Sequence, residues 1–88
     1  VKVDYRKRFL KELSKIPLPI RQEIETFVFD GIPALNNFSQ CNKIERMKGY
    51  PHHFKVRFGP YRLRIKIEKD TLIFERVLHR KEIYRYFP

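Results

Sequence analysis

The stretch FKVRFGPYRLRIKI, residues 54–67, decides how this chain folds. Phe54, Val56 and Phe58 alternate with Lys55 and Arg57, and beyond Gly59-Pro60 the residues Tyr61, Leu63, Ile65 and Ile67 alternate with Arg62, Arg64 and Lys66. Successive side chains of a strand point to opposite faces, so each run offers an apolar face to a core and a cationic face outward. Gly-Pro between two such runs is turn chemistry. An antiparallel hairpin in a sheet covered on one side is expected. Lys69-Asp70 makes the next turn. Thr71 to His79 then reads as a third strand, apolar at Ile73 and Val77 on one face and at Leu72, Phe74 and Leu78 on the other, as in a central strand. From Arg80 to Phe87, Ile83, Tyr84 and Phe87 recur at helical spacing and predict a final turn or two of helix.

Upstream the period lengthens. Phe9, Leu13 and Ile16 follow one another at i, i+4 and i+7, with Leu10 widening the stripe, until Pro17 ends it; Asp4 is placed to cap this helix. A second helix begins near Pro19, sets Ile20, Ile24, Phe27 and Val28 on one side, and stops at Asp30-Gly31. Val1 to Tyr5 alternates and reads as a brief first strand. Residues 31–42 are turn-rich and read as a loop or a frayed extension of the second helix. The expected class is α+β: an N-terminal strand and a helical hairpin packed on one face of a small, mainly antiparallel sheet, with a short C-terminal helix.

The chain has 88 residues, which fits one domain spanning 1–88 and leaves no room for a catalytic domain with separate lobes. With 42% hydrophobic and 15% aromatic residues it can form a core, which excludes a disordered chain. The lone Cys41 excludes an internal disulfide framework and a cysteine-rich zinc site. No apolar run approaches the roughly 18 residues of a membrane span and no signal-peptide core is present, so a cytoplasmic protein without membrane association is expected.

The formal net charge of +10 is unevenly placed. Residues 1–42 hold 7 basic and 5 acidic side chains, whereas residues 43–88 hold 13 and 5. Lys55, Arg57, Arg62, Arg64 and Lys66 project from one side of two adjacent strands, with Glu68 as the single acid among them. Like charges facing each other across strands cost stability, so such a face points to a polyanionic partner, a nucleic acid first. His79 suits proton transfer near neutral pH, Arg80 can clamp a phosphate, and Tyr84 offers a ring for stacking on a base. On a regular strand His79 and Arg80 point to opposite faces, so they act together only if the chain leaves the sheet there. His52-His53 lies beside Pro51 without an evident carboxylate or cysteine partner and reads as surface polar rather than metal-binding.

The string YPHHFKVRFGPYRLRIKIEKDTLIFERVLHRKEIYRYF resembles the RelE/ParE superfamily of toxin–antitoxin toxins. The likeness lies in Phe54-Lys55-Val56-Arg57, the short turn to Tyr61-Arg62, the alternating strand, and Leu78-His79-Arg80 with Ile83-Tyr84. The preceding helical hairpin extends it over nearly the whole chain. It implies a RelE-like microbial-ribonuclease-type fold and a metal-independent endoribonuclease without cofactor, cutting mRNA at the ribosomal A site by attack of the 2′-hydroxyl on the adjacent phosphate. Lys55, Arg57, Arg62, Arg80 and Tyr84 align with the family's active-site residues, Lys55 as candidate base, Arg62 and Arg80 as stabilisers of the phosphorane. Arginine is a poor proton donor, so His79 is added as an alternative acid or base on chemical grounds. Arg64, Lys66 and Lys81 are expected to bind RNA. The sequence departs from the pattern where Arg57 stands in place of a frequent lysine and Leu78 in place of a common glycine; Glu45 and Glu75 carry no motif that would make either a catalytic carboxylate.

The competing expectation is a ParE-like toxin on the same fold, which inhibits DNA gyrase by binding and cuts nothing. The set Lys55, Arg57, Arg62, Arg80 and Tyr84 favours the nuclease. Either branch implies a cognate antitoxin, with which the chain would form a hetero-oligomer, and the nuclease branch adds mRNA and ribosome as partners.

Overall fold

The computed structural model describes residues 1–83 and 85. The strands β1 (Lys2–Tyr5), β2 (Glu45–Arg46), β3 (His53–Phe58), β4 (Tyr61–Glu68) and β5 (Thr71–His79) form one sheet in the order β1-β5-β4-β3-β2. The pairs from β2 to β5 are antiparallel, and β1 lies parallel to β5, with Val3 opposite Leu72 and Tyr5 opposite Phe74. The helices α1 (Lys7–Leu13) and α2 (Ile20–Glu25) cover one face, and α3 (Arg80–Ile83) follows β5 directly. This is the expected α+β arrangement, with β4 at the centre and β5 between β1 and β4. The two-residue β2 is an addition, too short to leave a periodic signal.

Buried Phe9, Leu13 and Ile16 from the first helical segment and Ile24, Val28 and Ile32 from the second meet Val56, Phe58, Leu63, Ile65, Leu72, Phe74 and Val77 of the sheet in one cluster. Leu10 stays outside the core at 41% exposure. Asp4 does not cap α1: it belongs to β1, its Oδ1 accepts from the Tyr5 N–H at 2.9 Å, and Arg6 holds the N-cap position without a side-chain bond. The second helix does end at Asp30-Gly31, but its last stretch widens. It passes into one wide π turn, Thr26–Gly31, in which the Ile32 N–H reaches the Phe27 carbonyl at 2.9 Å. That turn carries the buried row of Ile24 and Val28 on to Ile32. Tyr5 joins the two layers. Its ring stacks on Phe74 and its hydroxyl donates to the Val28 carbonyl at 2.5 Å. Burial, then the nearby Asp30 charge, raises the pKa of that hydroxyl.

Strand β5 departs from strict alternation. Arg64 pairs with Arg76 but Ile65 pairs with Phe74, so Glu75 is an extra residue in a bulge. The bulge shifts the phase of alternation. Leu72, Phe74 and Val77 all enter the core under the helices, while buried Ile73 and Leu78 lie opposite Lys66 and Arg62 on the other face. Strict alternation had grouped Ile73 with Val77 and Leu78 with Phe74. Beside the bulge, Arg76 turns to α1: its Nε lies 3.0 and 3.1 Å from the two Glu12 oxygens and its Nη2 2.6 Å from Oε2. The Val77 N–H also donates to Glu12 Oε1 at 3.2 Å. One carboxylate thus locks helix to sheet. Among the described residues no helix is long and apolar enough to cross a membrane.

Candidate functional site

The helices leave the other side of the sheet open, and there the cations expected from the alternation converge. Lys55 lies directly opposite Arg64, Arg57 opposite Arg62, and His53 opposite Lys66 across β3 and β4. Directly opposed residues have Cβ atoms about 5 Å apart, close enough for like charges to repel. Three carboxylates offset this, where the alternation of β3 and β4 showed Glu68 alone. Glu45, brought in by β2, lies 3.1 Å from Arg57 Nε; Glu75, aimed onto this face from the bulge, lies 3.3 Å from Arg64 Nε and 3.7 Å from His53 Nε2; Glu68 lies 2.7 Å from Lys66 Nζ. The last pair holds the Glu68 carboxyl below its ordinary range and the Lys66 ammonium above its own, through their hydrogen bond and then their mutual charge. Among the described residues Lys55 makes no ion pair.

Gly59 shapes one end of this face. Its φ of 55° is a left-handed value that glycine adopts without steric cost, and it lets the hairpin reverse in two residues. The Arg62 guanidinium folds back on the turn, Nη1 donating to the Gly59 carbonyl at 2.7 Å and the Tyr61 carbonyl at 2.9 Å. On the other side of the turn, the Arg80 N–H donates to the Pro60 carbonyl at 2.7 Å, which pins the start of α3. Arg57 and Arg62 therefore face each other beside one two-residue turn to which the Arg80 backbone is also bonded, with Arg80 and Lys81 exposed. Lys55 and Arg64 lie one strand repeat further along, Lys66 beyond them.

The structure separates His79 from this group. His79 pairs with Tyr61, which packs on the helix-side core; the two rings meet edge-on at 5.7 Å, and Glu12 of α1 and Lys15 just beyond it line the same shallow hollow. Its Nδ1 accepts from the Lys81 N–H at 3.2 Å. The chain does leave the sheet after His79, yet the imidazole stays against Tyr61, whereas Arg57 and Arg62 belong to the open face. Tyr84 lies outside the described residues. His53, read as lacking a carboxylate partner, has one in Glu75. The consecutive charges Glu75-Arg76 inside an otherwise apolar strand were the signal for the bulge that supplies it. Among the described residues no group of three His, Cys, Asp or Glu side chains is arranged to hold a metal ion.

An open sheet face with clustered arginines at a turn can bind phosphates and stabilise charge on them, and cations spaced along two strands suit an extended polymer. Residues 3–84 match the family model described as ParE toxin of type II toxin-antitoxin system, parDE. Toxin RelE3 of Methanocaldococcus jannaschii is 40% identical over 90 residues, covering 100% of both chains. The crystal structure of the RelB-RelE antitoxin-toxin complex from Methanococcus jannaschii contains a chain that superposes with a TM-score of 0.79 at 38% identity, over 97% of this chain and 99% of that one. The isolated E. coli RelE toxin superposes with a TM-score of 0.65 over 98% of both chains at 16% identity, a likeness of fold.

Proposed function

Because the chain belongs to the RelE/ParE superfamily of type II toxin–antitoxin toxins, on its RelE branch, we propose that it is an endoribonuclease that cuts mRNA in the ribosomal A site and so halts translation. The observation that carries this reading is the gathering of Arg57, Arg62 and Arg80 around the Gly59-Pro60 turn at the end of an open cationic face.

In the proposed reaction the RNA 2′-oxygen bonds to the adjacent phosphorus as the P–O5′ bond breaks. The 2′-hydroxyl proton passes to a base, and the 5′-oxygen takes a proton to leave as a hydroxyl, giving a 2′,3′-cyclic phosphate. The phosphorane carries more negative charge on its oxygens than the substrate does. Donors fixed where that charge develops lower the barrier, and the bonds from Arg62 to its own turn pre-set one such donor. The Arg80 backbone is bonded to the same turn, from where its side chain would reach the phosphate, and Arg57 faces Arg62. Lys55 is the base candidate, one strand repeat away; Arg64, Lys66 and Lys81 hold the flanking backbone. None of these steps calls for a metal or cofactor. The protein acts in the cytoplasm, where its cognate antitoxin binds it in a hetero-oligomer. An antitoxin occurs with its toxin in the homologous complex from Methanococcus jannaschii.

Induction in cells, followed by mapping of mRNA 5′ ends with parallel assays of translation and of gyrase supercoiling, tests the reading. New 5′ ends within codons and arrested translation are expected. Intact mRNA with inhibited supercoiling would overturn it in favour of gyrase poisoning.

A further inference from the structure

The far end of the cationic face is built differently from the arginine end. Between β2 and β3 the chain makes a tight reversal: the Met47 N–H donates to the His53 carbonyl at 3.0 Å, the Tyr50 N–H to the Met47 carbonyl at 3.1 Å, and the His53 N–H to the Tyr50 carbonyl at 3.0 Å. Gly49, with φ of 84°, and Pro51 flank Tyr50 and restrict it further. The backbone of Tyr50 is thus fixed on both sides, yet the residue is 39% exposed. The ring stands edge-on to His53, 6.2 Å between centroids at 84°. His53 in turn lies on the cationic face beside Glu75 and opposite Lys66. The other large apolar side chains exposed among the described residues, Val1, Leu10, Leu18 and Phe29, belong to the N-terminus and the helical layer, so Tyr50 is the exposed aromatic that adjoins the cations.

We propose that Tyr50, backed by His53, is a stacking platform for an unpaired nucleobase of the RNA strand that runs along β3 and β4. The inference rests on the RNA-cleaving function and adds to it a subsite for a flanking nucleotide. Four residues of extended chain, about 13 Å, separate His53 from Arg57, so this base is not the one beside the cut phosphate. Lys66 stands at the His53 end and Lys55 between the two ends, and both match the backbone charge of a strand that spans them. A ring already held by its backbone and its neighbour loses little freedom when a base stacks on it, and the base covers apolar surface that is otherwise wet. Stacking reads no hydrogen-bond pattern, so the platform tolerates every base, larger purine faces best.

The probe is a short single-stranded RNA carrying 2′-O-methyl groups throughout, which binds but cannot be cut. Tyr50→Ala is expected to weaken its binding roughly 5- to 150-fold with the slope of affinity against salt unchanged, because stacking releases no counterions. Tyr50→Phe keeps wild-type affinity, and both variants keep the wild-type melting temperature. Walking one abasic residue through the RNA should find a position where wild type loses the same factor and Tyr50→Ala loses nothing more. Binding of Tyr50→Ala within twofold of wild type, or losses that add at every abasic position, overturns the platform. In the same preparations, wild type that cuts natural RNA while Tyr50→Ala binds unchanged refutes the platform alone, whereas wild type that leaves natural RNA intact on programmed ribosomes refutes the nuclease reading.

Discussion

Arg57 and Arg62 face each other directly across β3 and β4, and the two guanidiniums are held apart by different partners, Glu45 for Arg57 and the Gly59 and Tyr61 carbonyls for Arg62. Repulsion between them is thereby accommodated in the folded state, and a phosphate between the two finds donors on both strands. Removing the pre-set donor should affect the transition state more than the fold. Arg62→Ala is expected to lower the rate of RNA cleavage on programmed ribosomes by about 100- to 1,000-fold, while thermal unfolding changes by less than about 1 kcal/mol. A rate within threefold of wild type would remove Arg62 from the site.

His79 provides the opposite control. Its ring meets Tyr61 above the helical side of the sheet, away from Arg57 and Arg62. Single-turnover cleavage by His79→Ala should therefore stay within a few-fold of wild type, and its pH profile should keep its shape. A loss of about 100-fold or more, the usual size of an acid–base contribution, would return His79 to the chemistry.

The Glu12–Arg76 contact predicts a stability effect without a functional one. Both side chains are largely covered, at 16% and 9% exposure, and the carboxylate also accepts from the Val77 backbone. Removing one partner of a largely covered pair costs more than the pair contributes, since the arginine loses the carboxylate that accepts from its Nε and Nη2. Glu12→Ala should lower the free energy of unfolding in urea by about 3 kcal/mol, with cleavage per folded molecule preserved. An unchanged urea midpoint would show that the Glu12 carboxylate contributes no net stability.

The hairpin, the helical pair and the cationic face were legible because each follows from periodicity over several residues. Lys55, Arg57, Arg62, Arg64 and Lys66 needed strand alternation and nothing more. What escaped depends on single residues or on distant pairing. The bulge at Glu75 reverses the phase of β5 without altering its composition, so Val77 and Leu78 exchanged faces. Glu45 reaches Arg57 through a strand of two residues, and Glu12 reaches Arg76 over 64 positions of sequence. His79 was placed by its chemistry, and the parity that would have assigned it to Tyr61's face holds only once the bulge is known.

Glu75 tempers the positive charge of the open face. Its Oε1 lies beside both Arg64 and His53, inside a face whose remaining charges are mostly positive, so it lowers the potential that an approaching polyanion meets. Glu75→Gln keeps the shape of the side chain and removes that negative charge. Stability should fall, by about 1–2 kcal/mol, because a charged partner of a partly covered arginine becomes neutral. RNA affinity should rise and its salt dependence should steepen, as Arg64 gains phosphate in place of carboxylate. Melting curves together with binding titrations of uncleavable RNA at several salt concentrations measure both. If affinity and slope both stay at wild-type values, Arg64 lies off the path of the RNA and the strand crosses the sheet elsewhere than along β3 and β4.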